Sequence, residues 1–162
     1  MGGIKITPAD AAFSLCVRER ANWTCERCLR QTPPDKRMGL HCSHWIGRGS
    51  WGVRFHPLNA FAHCYGCHAY FEGRPAAFND WVIERHGQQV CDALRLTGNK
   101  PAYGIKKGKA EIAKFYRAEH TLMLKARSLG EGGWLPFDIC PLLPDFDVLE
   151  TPTAEWQRNH IS

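Results

Sequence analysis

Two Cys-x-x-Cys pairs constrain this chain more than any other feature of its sequence. The pairs are Cys25–Cys28 and Cys64–Cys67, and 35 residues separate them. This spacing allows two knuckles to meet around one tetrahedral Zn²⁺, and four thiolates would leave that ion no open position for substrate. The alternative, four unrelated buried thiols, is disfavoured because paired spacing rarely recurs by accident. We therefore predict a structural zinc held by these four residues, with the other cysteines as small core residues: Cys16, Cys42, Cys91 and Cys140.

The length and the apolar content bound the class of protein. A chain of 162 residues can bury a hydrophobic core without disulfides, since such a chain buries roughly 70% of its unfolded surface. No apolar stretch approaches the ~20 residues that cross a bilayer, and the first residues lack the apolar core of a signal peptide. We expect no membrane association and a reducing, cytoplasmic location.

Charge is distributed unevenly along the chain. Residues 1–130 contain 20 Lys and Arg against 10 Asp and Glu, whereas residues 131–162 contain one Arg and six acidic residues. A basic body of this kind suits a polyanionic partner, because Lys and Arg that neutralise phosphates dominate nucleic-acid affinity. Many proteins of modest positive charge bind no nucleic acid, so the charge alone does not decide the partner.

Hydrophobic periodicity predicts a mixed α+β fold. Small and apolar residues recur with helical spacing over about 8–20, where Thr7 can cap the first turn and Pro8 can occupy the first position. Two short extended segments, 38–45 and 60–63, precede a helix over about 65–71. Further helical stripes follow up to Gly130, interrupted by a basic linker over 100–109.

The predicted organisation has three parts. Residues 1–75 contain the N-terminal helix and a zinc-stapled core, and residues 76–130 form a helical extension. Residues 131–162 are acidic and rich in Pro and show no helical period. This tail is predicted to be a coil that either packs on the body through its aromatic residues or is partly disordered.

A second group of polar residues lies between and beside the cysteine pairs. It consists of His41 and His44 on the first extended segment, Asn59 before the second, and His68 directly after Cys67. Alternate residues of a strand share a face, so His41 and His44 converge only at a bulge or a strand end. A single histidine is more often an ordinary surface or core residue than a ligand, but this ordered set favours a site.

These motifs resemble the HNH nucleases, and among them the phage NinG (Rap) recombination endonucleases most closely. The matching pieces are Cys25-Glu-Arg-Cys28, the quartet 41–44, Arg54-Phe55 with Asn59, Cys64-Tyr-Gly-Cys67-His68, and the segment 83–87. The core is also similar to junction resolvases of the endonuclease VII type. The resemblance implies a ββα-metal fold, one catalytic divalent ion, and cleavage of branched DNA such as Holliday junctions or flaps, in a bacterial or phage-infected cell.

Carried over residue by residue, the resemblance implies roles for the histidine group. His44 would be the general base, Asn59 would orient it, and His41 with His68 would bind the catalytic metal. His41 replaces the usual Asp of the family, and His68 replaces the frequent final Asn. Two neutral imidazoles bind Mn²⁺ or another transition metal better than Mg²⁺, so we expect activity to be higher with Mn²⁺.

Candidate DNA contacts lie in the glycine-rich loop and the basic linker. They are Arg48, Arg54, Lys106, Lys107 and Lys109, which could bind phosphates or could equally be solvated charges. In the same loop, Trp51 is most simply a core residue, although it could stack on an unpaired base. His56 is expected at an exposed turn, and His63 is expected to be structural.

Two other functions fit the same sequence. One is a nicking or packaging-associated HNH nuclease without branch preference, and the other is a zinc-containing module that binds nucleic acid without catalysis. Because symmetric cutting of a junction needs two active sites related by a two-fold axis, the branched-DNA hypothesis also predicts a homodimer.

Overall fold

The N-terminal helix forms as its sequence predicts. The computed structural model describes residues 3–36 and 39–146, and its first helix, α1, spans Pro8–Arg20. Thr7 Oγ1 accepts a hydrogen bond from the Asp10 amide at 3.3 Å, and the Asp10 carboxylate accepts one from the Thr7 amide at 2.7 Å. This reciprocal capping box satisfies two amides that would otherwise lack partners at the helix start.

Two antiparallel strands and a helix form the centre of the molecule. Strand β1 spans Leu40–His44, strand β2 spans Ala60–Cys64, and helix α2 follows at once over Tyr65–Glu72. The register pairs Leu40 with Cys64 and His44 with Ala60. A short 3₁₀ turn, Pro57–Asn59, leads into β2. Both predicted strands are present, but β1 is shorter than the predicted 38–45: Gly39 and Trp45 lie outside it, and Met38 lies outside the described residues.

Helices make up most of the remainder. Within the described ranges they are α3 (Pro75–His86), α4 (Gln88–Gly98), α5 (Tyr103–Lys107) and α6 (Lys109–Ser128). Gly87, with φ of 83°, lies between α3 and α4, and this left-handed conformation suits glycine. The basic segment 100–109 was predicted to be a linker, but it contains α5, whose Ile105 is buried. None of the helices described here is long and apolar enough to span a bilayer.

The main core connects the two ends of the chain. The Phe13 ring on α1 contacts Tyr116 on α6 edge-on at 5.1 Å between ring centroids, and Phe137 at 6.0 Å. Tyr116 also donates its hydroxyl to the Phe55 carbonyl at 2.6 Å. The coil predicted after Gly130 is therefore packed on the body over residues 131–146, where Phe137 and Phe146 are buried. Residues 147–162 of the acidic tail lie outside the described residues.

Candidate metal centre and active site

The two cysteine pairs meet as predicted. The four Sγ atoms of Cys25, Cys28, Cys64 and Cys67 all lie within 4.8 Å of one another. Cys28 Sγ and Cys64 Sγ are 3.6 Å apart, close to the roughly 3.8 Å expected for two thiolates on a tetrahedral ion with bonds of about 2.3 Å. The cluster could therefore hold a structural metal ion. Among the residues described, no other group of three or more His, Cys, Asp or Glu side chains comes this close.

The electrostatics of the cysteine cluster favour a bound cation. Burial, together with the neighbouring thiols, raises the pKa of Cys67 to about 12, although a hydrogen bond from Arg27 opposes the shift. Four thiolates this close repel one another strongly, and a divalent cation removes that repulsion. The donor set is soft and tetrahedral, which fits Zn²⁺.

Glu26 fixes the first knuckle against the sheet. Its amide donates to the Ala62 carbonyl at 2.8 Å, and its carboxylate accepts from the Ala62 amide at 2.9 Å. The same carboxylate pairs with Arg20 at 3.1 Å and with Arg85 at 2.9 Å. The knuckle is thus held to β2 independently of any ion, which places it opposite the second knuckle.

The histidines of the second group lie around the end of β1. His41 and Ser43 share one face by strand alternation, and both contact His68 of α2. His44 is the last residue of the strand and lines the same cleft as Ser43 and His68. The strand end therefore brings His44 to the site without a bulge.

One ring nitrogen of His44 is held by the backbone. His44 Nε2 lies 2.9 Å from the Arg54 carbonyl oxygen. A carbonyl only accepts, so Nε2 carries the proton and Nδ1 is left as the acceptor. Burial, reinforced by the charge of Arg48, lowers the pKa of His44 to about 4, which keeps the ring neutral at physiological pH. A neutral imidazole with an available nitrogen can take a proton.

Asn59 acts on the loop and not on His44 directly. Its Oδ1 accepts from the Ile46 amide at 2.8 Å, and its Nδ2 donates to the carbonyls of Ile46 at 2.9 Å and Val53 at 3.1 Å. These bonds close the loop between the strands, which carries the Arg54 carbonyl. No hydrogen bond joins Asn59 and His44 among the contacts of the described residues, so the predicted orienting role is carried by the loop.

Arg54, predicted as a phosphate contact, lies in the interior and not at the surface. Its side chain is 2% exposed, and its guanidinium pairs with both carboxylate oxygens of Asp10 at 2.9 and 2.7 Å. Although burial opposes ionisation, the hydrogen bonds from Arg54 lower the pKa of Asp10 below its ordinary value. A guanidinium enclosed by this ion pair cannot also bind a phosphate, and it instead ties the loop to α1.

His41 and His68, the two predicted ligands of a catalytic metal, lie side by side. Their rings are nearly parallel, with centroids 4.9 Å apart. Nε2 of His41 is buried and lacks a hydrogen-bond partner among the described residues. Ser43 Oγ lies 2.7 Å from His68 Nδ1, which leaves His68 Nε2 facing outward as a possible ligand atom. Such a hydroxyl commonly fixes the orientation of a metal-binding imidazole.

Sequence reasoning missed a carboxylate beside this pair. Glu72 Oε1 lies 3.9 Å from His68 Nε2, one helical turn further along α2, and its side chain is exposed. The spacing of four residues between His68 and Glu72 places both on one helix face and could have revealed this neighbour. The site thus has an oxygen donor within reach as well as two imidazoles.

Two of the four remaining predicted DNA contacts lie beside Trp51. Lys106 Nζ and Lys109 Nζ lie 5.8 and 6.0 Å from the centre of the Trp51 ring. Lys107 instead lies over Tyr103 at 4.6 Å. Arg48 lines a smaller pocket together with His41 and His68. These four cations therefore stay candidates for phosphate contacts.

Two further histidines lie in the interior. His56 was predicted to be exposed, but it is fully buried because its Nδ1 caps the 3₁₀ turn by accepting from the Leu58 amide at 3.2 Å. Burial lowers the pKa of His56 to about 3. His63 is also fully buried, among aromatic rings that include Phe71 at 5.2 Å and Trp81 at 5.2 Å.

Comparison with known proteins finds no match for this chain among protein-family models, curated protein sequences or solved structures. Its function is therefore inferred from the geometry of the site.

Proposed function

We propose that this protein is a metal-dependent DNA endonuclease of the HNH type, with a ββα-metal core. The observation that carries the proposal is the hydrogen bond from His44 Nε2 to the Arg54 carbonyl in the cleft shared with His68. This bond leaves Nδ1 of a neutral imidazole as the proton acceptor, in a cleft that His44 shares with His68, one of the two proposed metal ligands. A general base and a cation site side by side are what phosphodiester hydrolysis requires.

The proposed reaction is hydrolysis with inversion at phosphorus. His44 Nδ1 takes a proton from a water molecule, whose oxygen bonds to phosphorus while the bond from phosphorus to the 3′ oxygen breaks. A divalent ion, when bound, stabilises the negative charge on the phosphate and on the leaving oxygen. His41 and His68 would hold this ion, with Glu72 as a further oxygen donor and Ser43 orienting His68. The leaving oxygen is protonated from solvent.

The four-cysteine cluster is proposed to hold structural Zn²⁺. Its soft, tetrahedral donor set leaves no open position for a substrate. The second knuckle joins β2 to α2, so the ion would fix His68 relative to the sheet. In this proposal the cysteines stabilise the fold, and the histidines take part in the reaction.

We infer branched DNA, such as a Holliday junction or a flap, as the substrate. The excess of Lys and Arg over residues 1–130 supports a polyanionic partner. Lys106 and Lys109 beside Trp51 provide a cationic surface with an aromatic ring, a combination that binds nucleic-acid strands. A homodimer would supply the second active site for symmetric cutting.

Cleavage assays test this function. Zinc-loaded protein is incubated with a four-way junction, a flap and a linear duplex of matched sequence, with Mn²⁺, with Mg²⁺ or with chelator. We expect metal-dependent cleavage, faster on the branched substrates and faster in Mn²⁺. Equal rates on all three substrates would identify a nuclease without branch preference. Binding without cleavage in every metal would identify a non-catalytic zinc module and overturn the proposal.

A further inference from the structure

A cavity of about 420 Å³ opens beside His44 and His68. Its volume lies in the range of pockets that enclose small organic groups, about 300–1,000 Å³. Ser43, His44 and His68 form one wall, so the cavity begins where the proposed reaction takes place. The proposed chemistry uses these three residues and Glu72, which also lines the cavity.

Most of the other residues that line the cavity are aromatic or apolar. Phe71 and Phe78 both line it, and their rings are nearly parallel, with centroids 4.5 Å apart. Trp45 and Ile46 line it as well, and both remain partly exposed. An aromatic lining of this kind suits a planar ring system, because aromatic rings gain stacking energy from one another.

Polar groups stand at the edge of the cavity. Arg95 lies over the Trp45 ring at 4.9 Å and donates to the Asn79 side-chain oxygen. A guanidinium has five N–H groups, and the Asn79 amide nitrogen has two, so this edge offers donors to ring nitrogens and carbonyl oxygens. Asn side chains pair with the edge of adenine, and Arg pairs with the edge of guanine.

We propose that this cavity accepts an unpaired nucleobase of the strand being cut, from the nucleotide next to the scissile phosphate. The inference rests on the proposed nuclease function, which puts that phosphate at His44 and His68. A group attached to a phosphate bound there can enter the cavity directly. The aromatic lining of the cavity matches the flat ring of a nucleobase, and the hydrogen-bond donors at the cavity edge match the polar edge of that base.

This cavity would explain a preference for branched DNA by the energy needed to bring a single base into it. A base within a duplex is paired and stacked, and bringing it into a protein pocket costs a few kcal/mol of unpairing and unstacking energy. That cost is smallest where the base is already unpaired, as at a branch point or at the foot of a flap. The pocket therefore selects substrates that present an unpaired nucleotide at the cleavage position.

The test removes the nucleobase from the DNA and, in a separate variant, blocks the cavity in the protein. After the scissile phosphate of a flap substrate has been mapped, the nucleotides on its two sides are replaced in turn by an abasic residue. Single-turnover rates are measured for the wild-type protein and for Asn79→Trp, which fills the cavity from α3. Gln89→Trp is the matched control, because it adds the same ring at an exposed position of α4 that does not line the cavity.

We expect one abasic position to slow the wild type by roughly 5- to 150-fold, the range typical of losing one base-stacking contact. Asn79→Trp should slow cleavage of the intact substrate by a similar factor and leave the rate on the abasic substrate unchanged. Gln89→Trp should resemble the wild type. If Asn79→Trp does not fold, Arg95→Ala takes its place, with Arg117→Ala on α6 as its charge-matched control.

Two results would overturn the inference while the nuclease function stands. The first is equal wild-type rates on intact and abasic substrates, and the second is an equal slowing of both substrates by the pocket variant. Failure of the wild type to cut any DNA in any metal would instead refute the nuclease function, and this inference with it.

Discussion

At the level of single residues, the hydrogen bond of His44 Nε2 determines which ring nitrogen is available for proton transfer. The partner is a main-chain carbonyl, so the assignment depends on the path of the loop and not on another side chain. The side chain at position 54 takes no direct part in this contact. The sequence alone could not reveal it, because a backbone acceptor leaves no residue-type signal.

The lowered pKa of His44 predicts the acid side of the pH profile. Burial disfavours the charged ring, so a pKa near 4 keeps the base neutral as the pH falls from 7.5 to 5.5. Single-turnover cleavage at saturating Mn²⁺ should therefore change little over this range. A base with an ordinary pKa of about 6.5 would lose roughly 90% of its neutral form by pH 5.5. A tenfold fall in rate over the same range would contradict the assignment.

Added metal should partly restore activity when a proposed metal ligand is replaced, but not when the proposed base is replaced. His68→Ala should weaken metal binding, so that a higher concentration of Mn²⁺ partly restores cleavage. Ser43→Ala should raise the Mn²⁺ concentration at half-maximal rate by about 10–100-fold, since it removes only the group that orients His68. The measurement is the rate as a function of Mn²⁺, with zinc content as a control. An unchanged midpoint in His68→Ala would exclude it as a ligand.

At the level of elements, the loop between the strands positions His44, the proposed base. Asn59 closes this loop through three hydrogen bonds, while Arg54 ties it to α1 through Asp10. Asn59 therefore acts on His44 indirectly, by holding the loop that carries the Arg54 carbonyl.

Removing the Asn59 side chain should lower both stability and rate. Asn59→Ala leaves the Ile46 amide and carbonyl without partners and removes one of the two hydrogen bonds to the Val53 carbonyl, which still accepts from the His56 amide at 3.0 Å. We expect this change to cost about 2–4 kcal/mol. Urea unfolding measures this loss. Cleavage should also fall at temperatures where the variant is fully folded, because the Arg54 carbonyl is no longer held in place. A folded variant with the wild-type rate would show that Asn59 has no positioning role.

The two knuckles should depend on each other through the ion. Cys64→Ser should release the proposed zinc and unfold the core, because structural zinc contributes directly to folding free energy. Cys91→Ala is the matched control, since Cys91 is a buried thiol on α4 outside the cluster. Metal content and thermal melting measure both variants. Full zinc content with an unchanged melting temperature in Cys64→Ser would contradict the assignment.

Sequence patterns predicted the elements better than the contacts between them. The capping residues of α1, the cysteine spacing and the alternation of β1 are local signals, and the structure confirms the elements that they indicate. The burial of Arg54 and His56 could not be predicted, because it depends on partners from distant segments. Arg54 pairs with Asp10 of another element, and His56 is covered by Phe146, with ring centroids 4.5 Å apart.

At the level of the whole molecule, one core joins the three predicted parts of the chain. Its buried residues include Phe13 of α1, Tyr116 of α6 and Leu143 of the final coil. Arg127 of α6 reinforces this connection by donating to Glu19 of α1 at 3.1 Å. The division at residues 76 and 131 stays a prediction, as does the homodimer. The continuous core means that substitutions in α6 can act on the site through α1.

The most direct test of this account is the single-turnover rate of His44→Ala on a four-way junction at saturating Mn²⁺. The cysteines lie outside the change, and affinity for DNA depends mainly on Lys and Arg, so zinc content, melting temperature and junction binding should stay close to wild type. The rate should fall by about 10²–10⁴-fold, the usual contribution of a general base, and extra metal should not restore it. Cleavage by this variant at more than about a tenth of the wild-type rate would contradict the central claim.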